Sequence, residues 1–191
     1  MTSRPQRLAR RTAALGAALA TLALPALAVA PLVITPHVES LQRGLICNPP
    51  LAGRRAAPDT LAGWVHVPDE PVRLIHHGST APAVLGMGFG VEFSLAGSEV
   101  VAMRYTVTHP AMAPDGRTEQ AWDGFALAGE REAIFFQFDV EEELLPGRWE
   151  FTAVVNGEPA FSAAFDVVAA ETAPHLTSLC RGAGFLSLAR P

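Results

Sequence analysis

The sequence contains no lysine; all fourteen of its basic residues are arginine. Alongside abundant alanine, glycine and proline, this is the residue usage of a GC-rich genome, and no mechanism is read from it. Cysteine is scarce. Cys47 and Cys180 each stand alone, which excludes C-x-x-C redox motifs and zinc ribbons. No serine sits in a G-x-S-x-G elbow, so the strand-to-helix nucleophile of the α/β-hydrolases is missing. There is no internal repeat. After Ala28 no segment of any length carries a helical period, and Ala170 to Cys180 has room for one short helical turn. What is present is a chain of 191 residues, 49% apolar, enough to build one core of ordinary size and too apolar to be disordered throughout.

The N-terminus reads as a targeting segment. Arg4, Arg7, Arg10 and Arg11 form a basic region, Thr12 to Leu27 an apolar run, and Pro25-Ala26-Leu27-Ala28 a small-x-small cleavage site. Residues 1–28 are therefore expected to be a secretory signal peptide, with cleavage after Ala28. Arg10-Arg11 is followed by Thr12-Ala13-Ala14, which departs from a twin-arginine signal. The competing reading is an uncleaved anchor, because no charge interrupts Thr12 to Pro36 and such a run is long enough to span a bilayer. Ile46 before Cys47 argues against a lipoprotein.

Export sets the state of the cysteines. In an oxidising compartment the two most simply pair, tying the mature N-terminus to a point near the C-terminus. Removing residues 1–28 leaves ten arginines against nineteen carboxylates, a net charge of about −9. That excludes nucleic acid as a partner, and leaves contact with a membrane only through the signal segment if it is kept.

The body of the chain alternates with a period of two. Phe89, Val91, Phe93 and Leu95 form one apolar face; Val101, Met103, Tyr105 and Val107 another; Ile134, Phe136, Phe138 and Val140 a third. In "LPGRWEFTAVVNGEPAFSAAFDVV", Trp149, Phe151, Ala153 and Val155 alternate, then Phe161, Ala163, Phe165 and Val167, around Asn156-Gly157. Opposed residues in a hairpin share a face, so both odd-numbered sets point inward only if the loop holds an odd number of residues. A three-residue loop, Val155-Asn156-Gly157 with Gly157 left-handed, is expected. Shorter strands are expected at Gly63 to Val67, Val72 to His76 and Thr118 to Leu127. About seven short strands separated by Gly, Pro and Asp turns indicate an all-β, antiparallel sandwich over residues 29–180, with a loosely tied tail over 181–191.

Candidate sites follow from chemistry-bearing residues. Gly86-Met87-Gly88-Phe89-Gly90 is not a dinucleotide loop, because strand rather than helix follows it; it is a bare strand face open to another backbone or to the ring of Trp64 or Trp122. Thr108 to Trp122 reads as the most informative loop, concentrating His109, Asp115, Arg117, Glu119 and Trp122, with an exposed apolar or aromatic patch expected near Trp122. His66 and His76 are expected to approach across a turn at Pro68 to Pro71, and with His37 they form a candidate copper or zinc site. His76 and His77, being adjacent, point to opposite faces. Asp139 with Glu141, Glu142 and Glu143 reads as a solvated acidic turn. An enzyme built on His109 and Asp115 is a weaker reading that requires the two to share one cleft.

The stretches "APAVLGMGFG", "VTHPAMAPDG", "LPGRWEFTAVVNGEPAFSAAFDVV" and "SLC" resemble a family of exported bacterial proteins with a single domain of unknown function. The likeness runs over roughly Ile34 to Cys180. It implies an immunoglobulin-like sandwich and supplies no catalytic residues. The combined expectation is a periplasmic or secreted, non-enzymatic binding or envelope-associated module, with no cofactor and an unidentified protein or small-molecule partner; the alternative is the histidine metal site.

Overall fold

The structure, a computed structural model, describes residues 31–180. The expected signal peptide at 1–28 and the tail at 181–191 lie outside the described residues. The strands are β1 (Leu32–Ile34), β2 (Val38–Cys47), β3 (Leu51–Ala56), β4 (Trp64–Pro68), β5 (His76–His77), β6 (Thr80–Ala83), β7 (Met87–Leu95), β8 (Val100–Met112), β9 (Arg117–Leu127), β10 (Glu132–Gln137), β11 (Gly147–Val155) and β12 (Glu158–Ala169). One short helix, α1 (Pro174–Leu179), lies where a helical turn was expected.

Two sheets face each other. One runs β1-β12-β11-β8-β9, all antiparallel, with β6 paired to β12 in parallel, the exception to the expected antiparallel pairing; the other runs β10-β7-β2-β5, antiparallel throughout. The small β3–β4 hairpin is a separate two-stranded sheet. Alternation explains the layers. Phe89, Val91, Phe93 and Leu95 are buried from one sheet, and Met103, Tyr105, Val107, Trp149, Phe151, Phe161, Ala163, Phe165 and Val167 from the other. At the centre, the Phe89 ring lies 4.6 Å from Phe165 and 5.6 Å, edge-on, from Trp149.

The glycine face on β7 does accept a close neighbour, and that neighbour is backbone. A Cβ at Gly88 would lie 2.2 Å from the Phe136 carbonyl oxygen, and one at Gly90 2.3 Å from that of Ile134. Neither Trp64 nor Trp122 is among the atoms nearest either glycine.

Three local expectations are corrected. The β11–β12 turn holds two residues, not three: Val155 pairs with Glu158, and Asn156 (φ 48°) and Gly157 (φ 88°) both take the left-handed region. Parity is restored by a register shift, since Ala153 pairs with Phe161 but Val154 with Pro159, making Ala160 the extra residue. Its carbonyl is used by the Thr35 N–H. Second, Thr108 to Trp122 is mostly strand. β8 runs to Met112 and β9 starts at Arg117, with Pro110 accommodated where the ladder breaks between Thr108 and Met112. Third, Val72 to Ile75 is not strand. Only His76 and His77 pair, with Leu45 and Gly44, while the Leu74 N–H is taken by the Glu92 carboxylate.

Cys47 and Cys180 are joined, across a sequence separation of 133. Cys180 closes α1, whose Leu176 is buried. Cys47→Ala with Cys180→Ala is expected to lower stability by up to about 5 kcal/mol on the loop-entropy argument. The denaturant midpoint of oxidised against variant protein measures this, and a change below about 0.5 kcal/mol, within the range of an ordinary surface substitution, would show that the bridge carries no stability.

Candidate functional site

The β9 and β10 strands are the end strands of their respective sheets. The hairpin β3–β4 lies where these two edges face each other, and a cleft opens between hairpin and edges. Its walls come from the hairpin and its following segments (Arg55, Thr60, Trp64, His66), from β9 (Gln120, Trp122), from β10 (Phe135, Gln137) and from the short turn beyond it (Asp139, Glu143), and it encloses about 110 Å³.

Hydrogen bonds from Arg104, Arg117 and the Ala121 N–H to Asp59 tie the hairpin's loop to β8 and β9, and three further links hold the hairpin down at the cleft. The Arg55 guanidinium donates to the Asp123 carbonyl at 2.6 Å, the Leu61 N–H donates to Gln120 Oε1 at 2.7 Å, and His66 Nε2 meets both Asp139 carboxylate oxygens at 2.9 and 3.0 Å. An isolated two-stranded hairpin is marginal in water, so these links decide whether it stays closed.

The His66 pair is built with care for protons. Asp139 accepts, so Nε2 carries the hydrogen and Nδ1 of the neutral ring is an acceptor. Gln137 Nε2 lies 3.0 Å from Asp139 Oδ1 and 3.2 Å from His66 Nε2; the carboxylate decides the amide orientation, since an amide oxygen against a carboxylate oxygen is the costlier of the two clashes. The consequence is unusual. His66 Nδ1 and Gln137 Oε1 are both buried and both unpartnered. The two side chains are each only 8% exposed. The Trp64 ring stands edge-on to His66 at 4.7 Å, and the Arg54 guanidinium covers Trp64 at 3.6 Å.

Glu143 forms the floor at 2% exposure. Burial pushes its carboxyl up to about 7, against the opposing bonds that its Oε2 accepts from the Asp139 N–H at 2.7 Å and the Val140 N–H at 3.4 Å. The only hydroxyl in the wall, Thr60 Oγ1, donates to the carbonyls of Ala57 and Trp64.

The sequence candidates separate. Asp115 and Arg117 stay together at the β8–β9 turn, where the carboxylate accepts from the Arg117 N–H at 3.0 Å. His109 is elsewhere, buried, its ring 4.9 Å from Trp149 and its Nδ1 2.8 Å from the Pro110 carbonyl; burial lowers its pKa. No hydrogen bond or ion pair links His109 to Asp115, as the enzyme reading requires. Trp122 is buried against Phe151 and Tyr105 and lines the cleft, and the exposed apolar side chains nearby are Phe125, Leu127 and Val100. His37 pairs with Glu158 and His76 with none of the other two candidate histidines; among the described residues no group of three or more His, Cys, Asp or Glu side chains converges. Asp139, Gln137, Gln120 and Glu143 were missed, or in the case of the acidic turn misread. In the alternation Gln137 and Asp139 fall on the face opposite Phe136 and Phe138, which reads as solvated, so no sequence pattern marked them.

These features define an antiparallel, immunoglobulin-like β-sandwich: the seven long strands β2, β7, β8, β9, β10, β11 and β12 divide into a first-second-fifth sheet and a fourth-third-sixth-seventh sheet, the fourth strand having joined the opposite layer from that of an antibody constant domain. The chain belongs to the family described as Domain of unknown function (DUF3859), which matches residues 38–167. Among solved structures it is similar to an immunoglobulin-like protein (PA1606) from Pseudomonas aeruginosa, at 16% identity over 74% of this chain and 99% of that one, with a TM-score of 0.47. It is also similar to the Pseudomonas fluorescens alkylpurine DNA glycosylase AlkC, solved bound to DNA containing an abasic site analog, at 16% identity over 48% of this chain and 28% of that one, with a TM-score of 0.34. Among curated proteins none matches the chain.

The raised Glu143 carboxyl has a signed consequence. Its folded value lies above the ordinary 4.5, so the native state holds a proton that the unfolded chain releases, and stability falls as pH rises from about 4.5 to about 7. The loss is at most roughly 3 kcal/mol. Glu143→Gln, which keeps an acceptor for both N–H groups, is expected to match the parent at pH 4.5 and to be the more stable at pH 8. Parallel curves across that range in thermal unfolding would refute the assignment.

Proposed function

We propose that this protein is an exported, non-enzymatic binding module of the cell envelope, and that its ligand enters the cleft between the hairpin β3–β4 and the edges β9 and β10. One observation carries the reading: two side chains of a single cleft, His66 and Gln137, are more than nine-tenths buried and each retains an acceptor with no partner. Burying an unpaired polar atom costs on the order of 1–3 kcal/mol, a cost that a ligand donor removes. Binding is favoured over covalent catalysis because the one hydroxyl in the wall has its proton committed to main-chain carbonyls.

Export is supported by the basic and apolar pattern of residues 1–28 and by the disulfide. Cleavage after Ala28 leaves β1 whole, and Leu32–Ile34, the end of the run read as a possible anchor, is strand paired with β12. N-terminal sequencing of protein from the periplasmic fraction is expected to begin at Val29; an intact Met1 in the membrane fraction overturns this.

The metal alternative retains one argument. A histidine whose Nε2 is held by a carboxylate has its other nitrogen oriented as metal-bound histidines do. His37 and His76 supply no further donors there, so zinc or copper is expected to leave the melting temperature unchanged. For the binding reading, Ala62→Trp fills the cleft from its wall. Capture of envelope components on the parent protein and not on this variant, with both equally stable, is the expected result; equal capture by both removes the cleft from the function.

A further inference from the structure

We propose that the cleft recognises a primary ammonium group on a short alkyl chain; this rests on the cleft being a ligand site. Both unpartnered atoms are acceptors: Gln137 Oε1 by its amide orientation and His66 Nδ1 by the commitment of Nε2 to Asp139. A ligand that satisfies them must bring hydrogen-bond donors, and an ammonium carries three with no acceptor. The charged groups lining the cleft are Asp139 and Glu143 against Arg55, and the Arg55 guanidinium is already engaged with the Asp123 carbonyl. With Arg54 over Trp64 counted beside Arg55, the two carboxyl groups are balanced by two guanidinium groups, and the selection comes from the unpartnered acceptors, which an ammonium satisfies and an anion does not. The aromatic walls, Trp64, Trp122 and Phe135, suit the alkyl chain and favour a cation further, as Arg54 over Trp64 already illustrates.

Size narrows the ligand. A cavity of roughly 150 Å³ holds a benzene ring. The 110 Å³ here is smaller, and suits a linear chain of a few carbons. The chemistry selected is that of a small alkylamine or of an aminoalkyl side chain presented by a larger partner.

The test uses the indole N–H signals of the three tryptophans. Trp64 and Trp122 line the cleft, while Trp149 is buried in the core with its Nε1 donating to the Leu145 carbonyl, and serves as the internal reference. The full chain, purified from its expressing cells, is titrated at pH 8 with n-propylammonium, 1-propanol and propionate. Saturable shifts of Trp64 and Trp122 with propylammonium alone are expected. Glu143→Gln is expected to weaken that binding at least several-fold, and Gln137→Leu about tenfold or more; if Gln137→Leu does not fold, Glu143→Gln decides. Equal shifts with propanol or propionate would keep the cleft as a binding site and overturn its selectivity for a cation. Silence from all three ligands overturns the ammonium proposal, and the binding reading falls only if Ala62→Trp also leaves envelope capture unchanged.

Discussion

The contact between Phe89 and the pair Trp149 and Phe165 is what makes two sheets into one domain. Phe89 projects from β7 into the opposite layer, and Phe136 and Phe138 lean onto it from 5.7 and 5.8 Å. Five aromatic side chains thus share one centre, each worth on the order of 2 kcal/mol in burial alone. The same strand serves the other direction through Gly88 and Gly90, which have no side chain to hold β10 away. Large inward residues and bare outward ones on a single period-two strand fix both the spacing of the layers and the close seat of β10.

That arrangement leaves an open side. With the fourth long strand in the opposite layer, β9 and β10 are both sheet ends, and unpaired strand edges invite pairing with other chains. The hairpin β3–β4 is the cover, and it is fastened chiefly by side chains rather than by a continuous ladder. An apolar seal would have closed the gap at less desolvation cost, because buried ionic pairs often do no better than well-packed hydrophobes. A latch needs His66 on Asp139; it does not need Nδ1 and Gln137 Oε1 left without partners. Of the four buried side-chain atoms left unpartnered among the described residues, two sit together in this cleft, and the proposed binding role rests on that pairing.

The architecture was legible wherever one face of a strand is buried and the other wet. The strands at 89–95, 101–107, 149–155 and 161–167 were visible as alternations; the alternation at 134–140 outran its strand, which ends at Gln137; and the disulfide followed from cysteine count and the expectation of export. β2 was not, because Gly44 to Cys47 is buried on both faces except at its rim and a register shift near Ser40 breaks the period at its start. The hairpin turn was misjudged because parity can be repaired at a distance: a bulge at Ala160 does the work assigned to a longer loop. The cleft was least legible. His66 and Trp122 were singled out for other partners, and Asp139 and Glu143 looked like surface acids. Only the tertiary approach of the hairpin to β9 and β10 buries them, and no local pattern encodes it.

The stretches that carry the family resemblance have a role distinct from the cleft. In "THP" and "PGRW", the His109 ring stacks near Trp149, and a Cβ at Gly147 would lie 2.8 Å from Pro110. "MGFG" holds the close seat of β10 and the central Phe89, and "SLC" ends at the bridged Cys180. None of the cleft residues, from Arg55 to Glu143, falls within these stretches. A resemblance built on them follows the packing of the sandwich, so it transmits the fold and leaves the residues of the open edge unspecified. The chemistry of the edge has to be read from His66, Gln137, Asp139 and Glu143 themselves, and two proteins alike in every packing stretch are free to differ there.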